Sequence, residues 1–424
     1  MTPDGAARPD RGMLWVAAGL GVFGLANFVF LALAGRDLGP AGSAPVAVAW
    51  TILNAVGIGL FQPLEQETSR TLSAATVHDT TGSHLGRMAR YATWAGLVIV
   101  VVGAVGFPWL GDALFGGARQ LVAVVVLGLL GQGLAYFARG VLAGKNQFHR
   151  YGSQLGLDGA VRTLAAVALF VTGTGTQLTY GLVLVLAPVL ATVLAIRLPD
   201  LVQVWRGRDG EDAGHAMTSL VLSSTASQLL ANLGPIAIAL LVSAAQQGVS
   251  GNFTAAITVA RIPLFLFAAI QAVFLPALAA LVAGHKVAEF LATTRRAFVA
   301  TLVLAVVGVA GVAVLGPWVM RLIYGPEFTI ETVPLVLVAL SGGLFMLAQV
   351  VAQALLAHHG ESAAAWGWFL GLVAACLALA LPGDVSTTVA LALCVGSTVS
   401  LVALAWFLVR QVRRWRAALQ EVHG

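Results

Sequence analysis

Charge is scarce in this sequence: Asp, Glu, Lys and Arg make up 10% of the 424 residues, against 59% hydrophobic residues. A soluble domain carries about 25% charged residues, so a soluble globule is excluded and the balance is that of a polytopic membrane protein. Cysteine is almost missing. The two present, Cys376 and Cys394, both lie within apolar runs, which excludes a disulfide framework and a cysteine metal site. His84, His149, His215, His285, His358 and His359 are spread among polar loops without ligand spacing, so neither a metal nor another cofactor is expected. Walker A, nucleophile-elbow and HExxH motifs are missing too, which leaves no sign of an ATP motor or a familiar hydrolase. Although Lys and Arg outnumber Asp and Glu by 23 to 18, no basic cluster with interleaved aromatics stands away from the edges of apolar runs. Nucleic acid is therefore excluded as a partner.

What the chain has in abundance is apolar runs near the ~20 residues that span a bilayer. Twelve are expected, at roughly 12–34, 41–63, 90–110, 119–138, 154–173, 178–196, 217–243, 252–282, 297–320, 332–356, 364–381 and 386–409. They lack strand alternation and an open sheet cannot satisfy its backbone in lipid, so all are read as helices. The short hairpin around residues 173–177 and the long eighth run are the least regular of these. The first run follows Arg8 and Arg11 and ends in an "ALA" that resembles a signal-cleavage site. Its length, about 22 residues, exceeds the 7–15 of a signal h-region, so an uncleaved first span is expected.

With the N-terminus in the cytoplasm, the outer segments hold only Arg36, Arg119 and Arg321 of the 23 basic residues, and Arg162 and Arg261 lie within spans. All the others fall on the inner side, which places both termini in the cytoplasm. The longest polar stretch, "RLPDLVQVWRGRDGEDAGH" over 197–215, divides the spans six and six. The expected organisation is a six-helix bundle over 1–196, a cytoplasmic linker over 197–215, a second six-helix bundle over 216–409 and a basic cytoplasmic tail over 410–424. "PWLGDALFG" from Pro108 and "PWVMRLIYG" from Pro317 stand 209 residues apart, and Arg87 and Arg296 share that offset. Each phrase follows the third span of its half. Six spans per half put both phrases on the outer side, so the repeat is parallel. Two similar bundles that rock about an interface point to transport.

Charge buried within spans is the guide to function, because it is costly unless matched. Asp158 and Arg162, in "GLDGAVRTL", are one helical turn apart and able to pair at i,i+4. At ~1.5 Å per residue from a start near Gln154, Arg162 lies roughly 12 Å deep. Two roles stay open: a structural ion pair, or an Arg162 that lines a water-filled cavity while Asp158 holds it. Arg261, in "AITVARIPLFLF", has no acid within a turn, and a central Arg costs about 2.5–3.5 kcal/mol. It is the leading functional candidate, and Pro263 is placed to kink the helix beside it. Asn27, Asn54, Gln132, Gln228, Asn232 and Gln271 supply uncharged donors within spans, mostly for interhelical hydrogen bonds. Gln228 and Asn232 share a face at i,i+4 ahead of a Gly-Pro break. Glu65 and Glu67, in "PLEQETSR", are either proton or cation sites or are paired with a neighbour such as Arg70.

"LIYGPEF" (322–328), "FGG" (115–117), "PLEQETSR" (63–70) and "ARGVLAGKNQFHRYG" (138–152), with twelve spans in two halves, resemble the polysaccharide transporter family of the multidrug/oligosaccharidyl-lipid/polysaccharide (MOP) exporter superfamily. The resemblance implies an all-α, V-shaped transporter of the cell membrane that works as a monomer. It also implies a flippase that moves an undecaprenyl-diphosphate-linked glycan to the outer leaflet, driven by a H+ or Na+ gradient. Under it, Arg261, Arg162, Asn232, Gln228 and Asn27 contact substrate, and Asp158, Glu65, Glu67 and Arg70 are coupling or ion-pair candidates. Lipid II flippases of the superfamily also carry an Arg on the eighth span, but they have an Arg on the first span and fourteen spans, so lipid II is a poorer cargo. The alternative is a MATE-type multidrug/cation antiporter, which Asn27 disfavours by standing where one drug-exporting branch has Asp. Outer acids are only Asp37, Asp112, Glu327, Glu331 and Asp384 on short loops, too little for a membrane-embedded glycosyltransferase or ligase.

Overall fold

The computed structural model describes residues 11–78, 85–196 and 214–423, which form twelve α-helices with no strand among the described residues. Arg8, His84 and the linker over 197–213 lie outside the described residues. The helices are α1 Arg11–His78, α2 Leu85–Phe115, α3 Gln120–Gly144, α4 Phe148–Thr172, α5 Gln177–Ala195, α6 Gly214–Leu241, α7 Gln247–Ala260, α8 Ile262–Ala283, α9 Val287–Tyr324, α10 Thr332–Ala357, α11 Glu361–Ala378 and α12 Val385–His423.

α1 joins two spans. At 68 residues it would reach about 100 Å, three times the hydrocarbon thickness of a bilayer. Gly39, with φ 67° and ψ 179°, breaks it, because only glycine adopts that backbone readily and Pro40 disfavours a helical residue before it. The eighth apolar run is likewise not one helix: it is α7 and α8, jointed at Arg261. Among the described residues ten helices are long and apolar enough to cross a membrane, with α1 counted once and α7 and α8 left out. Two spans from α1 and one from the α7–α8 pair bring the number to the expected twelve. The hairpin over 173–177 is also as expected. Gly173 (φ 64°) closes α4, and Thr176 opens α5 through a capping box with Thr179.

The repeated phrase ends a helix in both copies, at Phe115 and at Tyr324, where Gly116 (φ 57°) and Gly325 (φ 110°) take over. Pro108 and Pro317 lie inside α2 and α9, so glycine and not proline stops each helix. Trp109 and Trp318 are exposed beside them.

The chain packs as two compact units. Unit 1 is Met1–Ala34, Phe61–Phe107 and Gln120–Asp212, and unit 2 is Gly35–Leu60, Pro108–Arg119 and Ala213–Gly424. Residues 35–60 and 108–119 thus pack with the second half of the chain. In unit 1 the buried centre includes Phe30 edge-on to Tyr180 at 5.8 Å. In unit 2 it gathers Phe274, Phe290, Trp368, Leu404 and Trp415. The outer faces are apolar as well: Val105, Val314 and Leu164 are exposed, as they must be where lipid is the solvent. Since lipid is as apolar as leucine, helices associate through close backbone approach and polar contacts, and both devices build the sites below.

Candidate functional site

In unit 1 the i,i+4 spacing on α4 closes into an ion pair. Arg162 Nη2 donates to Asp158 Oδ1 at 2.9 Å, both side chains being buried. Arg162 Nη1 donates to Asn27 Oδ1 at 2.7 Å, and the guanidinium sits 5.3 Å from the Phe23 ring centre. Asn27 Nδ2 donates to Phe23 O one turn back at 2.9 Å, which aims the amide oxygen at the arginine. Glycines allow α1 to come this near. A Cβ on Gly152 would stand 2.2 Å from Trp15 O, and one on Gly159 would stand 3.0 Å from Val22 O. Arg162 Nε is buried and has no hydrogen-bond partner among the described residues.

A second polar cluster in unit 1 centres on Glu65 of α1. Arg139 Nε donates to its Oε2 at 2.9 Å, and Tyr151 Oη donates to its Oε1 at 2.6 Å. Arg139 also lies 4.0 Å over the Tyr136 ring and donates to Gln154 Oε1 at 3.4 Å, and Gln154 donates in turn to Thr192 Oγ1 at 3.3 Å. One carboxylate thereby ties α1 to α3 and α4, and the relay reaches α5. Arg70 pairs with Glu67, at 2.6 Å, and not with Glu65.

In unit 2 the joint between α7 and α8 presents Arg261. Its backbone (φ −87°, ψ −1°) caps α7, and Pro263 follows in the first turn of α8, where a missing N–H costs no helical bond. Arg261 Nη1 donates to Asn232 Oδ1 at 3.2 Å, and Nη2 donates to Ala231 O. It makes no ion pair among the described residues. Asn232 Nδ2 donates to Gln228 O at 2.9 Å. Asn27 and Asn232 therefore work alike: each anchors its amide nitrogen on the carbonyl four residues back and offers its oxygen to an arginine.

Arg261 lines a cavity of about 290 Å³ within unit 2, together with Trp50, Asn54, Gln228, Asn232 and Gln349. Among the described residues no carboxylate lines it, and the remaining wall is apolar apart from Ser341 and Ser397. A guanidinium held by two neutral oxygens keeps its full positive charge, and the low dielectric around it strengthens its field. The space suits a compact anion: it falls just below the ~300–1,000 Å³ usual for ligand pockets. The sequence points to Arg261, to the Gln228–Asn232 pair and to Asn54 separately, and the fold gathers them at one cavity. Trp50 and Gln349 were not singled out, and an amide inside the tenth apolar run was the available signal for the latter. The side chain of Gln271 lies outside the described residues.

No protein-family model matches the chain. An uncharacterized protein of Mycobacterium tuberculosis is 28% identical over 95% of this chain and 94% of its own length. A second from that organism is 28% identical over 88% of this chain and 86% of its own. Among solved structures, the inward-facing conformation of a MATE family multidrug resistance transporter of the MOP superfamily aligns at a TM-score of 0.71 and 13% identity, covering 95% of this chain and 99% of that one. A MATE transporter of Vibrio cholerae gives 0.64 at 14% identity, with 97% and 96% covered. The lipid II flippase MurJ in an inward closed conformation gives 0.60 at 12%, with 93% and 89% covered. The chain is an all-helical, multi-pass membrane protein with the fold of MOP-superfamily transporters, and these structural neighbours are transporters and a flippase, not enzymes.

Proposed function

We propose that this protein is a MOP-type transporter that flips a lipid-linked oligosaccharide of the undecaprenyl-diphosphate type from the cytoplasmic to the outer leaflet, supplying cell-surface polysaccharide synthesis. The Arg261 cavity carries the proposal. Among the described residues its one formal charge is positive, and its amides and hydroxyls suit phosphate oxygens and sugar hydroxyls. Arg261, Asn232 and Gln228 contact the diphosphate, and the cavity's size leaves the polyprenyl tail and the distal sugars outside it. In unit 1, Arg162 and Asn27 are assigned to substrate contact. Asp158, Glu65, Glu67 and Arg70 are assigned to coupling with a H+ or Na+ gradient. The protein acts as a monomer in the cell membrane by alternating access, with both termini cytoplasmic.

A MATE-type multidrug/cation antiporter is the second reading, favoured by the alignment at a TM-score of 0.71. A cationic cavity without a carboxylate opposes it, because a cationic drug would be repelled. The test is purified protein in liposomes with a labelled lipid-linked glycan, with and without a proton or sodium gradient. Gradient-dependent translocation that falls at least about tenfold in Arg261→Ala, the equivalent of ~1.4 kcal/mol, supports the flippase. Gradient-driven efflux of a cationic dye with no glycan movement overturns it in favour of the antiporter.

A further inference from the structure

α12 does not end where its apolar stretch ends. At 39 residues it extends about 58 Å, roughly twice the ~30 Å hydrocarbon core, and after Val409 its sequence turns to "RQVRRWR". This extension stays docked on unit 2. The buried stripe Leu404, Leu408, Val412 and Trp415 continues without interruption past the last apolar run. Trp415 meets Phe290 edge-on at 5.7 Å and His358 at 4.7 Å, and Gln411 Nε2 donates to His358 O at 2.6 Å.

The opposite face carries a cationic ladder of Arg410, Arg413 and Arg414, with Arg416 to one side. Arg410, Arg413, Arg414 and Arg416 are all exposed and make no ion pair among the described residues. From Val385 to Gln420 the sequence holds no Asp or Glu, and the acid of α12 is Glu421, about two turns beyond Arg414. At 3.6 residues per turn, Trp406, Arg410, Arg413 and Arg414 fall within about 100° of one another around the helix. Trp406 is exposed, and the Arg410 guanidinium lies 5.3 Å from its ring centre. An exposed tryptophan one turn before a row of arginines is the pattern of a helix crossing the headgroup level, the ring at the interface and the charges just beyond it. These charges ride on a helix pinned by tertiary packing, so a ligand meets them without ordering any backbone and the cost is limited to the arginine side chains.

We infer that the Trp406–Arg410–Arg413–Arg414 face of α12 binds anionic phospholipid headgroups of the adjoining leaflet. The inference does not depend on what the protein carries. Phosphate is the chemistry recognised, and the arms of the test separate a lipid headgroup from a free phosphate. The full-length protein, delipidated in neutral detergent, is equilibrated with equal amounts of phosphatidylglycerol and phosphatidylcholine, and retained lipids are counted by native mass spectrometry. The wild type is expected to prefer phosphatidylglycerol by about tenfold or more at low salt, with the preference falling steeply toward ~0.5 M salt. The triple variant Arg410→Gln, Arg413→Gln, Arg414→Gln should retain the two lipids about equally. The matching triple Lys variant, which keeps the charge, should retain the preference and so guards against a misfolded Gln variant. Equal preference for phosphatidylglycerol in the wild type and the Gln variant overturns the inference. So does displacement of the lipid by millimolar inorganic pyrophosphate, which makes the face a site for soluble phosphate.

Discussion

An alanine at Gly152 would put a Cβ 2.2 Å from Trp15 O, 2.5 Å from Trp15 C and 2.9 Å from Val16 N. All three atoms are backbone, so no side-chain rotation relieves the clash, and α4 and α1 must part by about 1 Å to reach ordinary contact. The same seam sets the 2.7 Å bond from Arg162 to Asn27, which a shift of that size breaks. Overpacking costs about 1–3 kcal/mol, and a lost hydrogen bond to a charged group costs about 1.5–3 kcal/mol. Together they lower Tm by about 5 °C or more. Gly156, one turn along the same helix, has no atom within 4 Å of its would-be Cβ. Gly156→Ala should therefore be neutral, or stabilising by up to about 1 kcal/mol through helix propensity. Thermal unfolding of both purified variants in one detergent is the assay. Equal Tm values for the two would refute the close α1–α4 crossing and the placement of Asn27 that depends on it.

Asp158→Ala leaves the buried Arg162 without its carboxylate and should cost about 3–5 kcal/mol. The double variant Asp158→Ala, Arg162→Ala should lose clearly less than the sum of the singles, as a double-mutant cycle of unfolding measures. Tyr151→Phe removes one donor from the Glu65 carboxylate and should cost about 1–2 kcal/mol, with Glu65→Ala costing more because Arg139 then also loses its ion-pair partner. The same unfolding series ranks them, and equal losses would refute the shared network. Arg36, an exposed side chain, donates to the carbonyls of Ile323 and Leu322 at the C-terminal end of α9. Arg36→Ala should cost under about 1 kcal/mol globally, yet speed amide exchange over 322–329, and unchanged exchange there would refute the cap.

Some of this protein is local and could be read from the chain alone. Lipid as solvent demands long apolar helices, so composition identified a membrane protein, and run length found twelve spans. The i,i+4 pair of Asp158 and Arg162 needed only helical geometry, and finding the two phrases 209 residues apart needed only counting. Pro263 marked the joint at Arg261, although the break into α7 and α8 was not foreseen. Other features depend on which backbones approach, and glycine contacts set that approach. Glu65 meets Arg139, 74 residues away, in place of the nearby Arg70, and Asn27 meets Arg162 across 135 residues. The packing of residues 35–60 with the second half of the chain is another such outcome, and it alone brings Trp50 and Asn54 to the Arg261 cavity. Sequence decided which solvent the helices face and which charges lie within them. Tertiary structure decided their partners, because hydrogen bonds and ion pairs act over a few ångströms in space, whatever the separation along the chain.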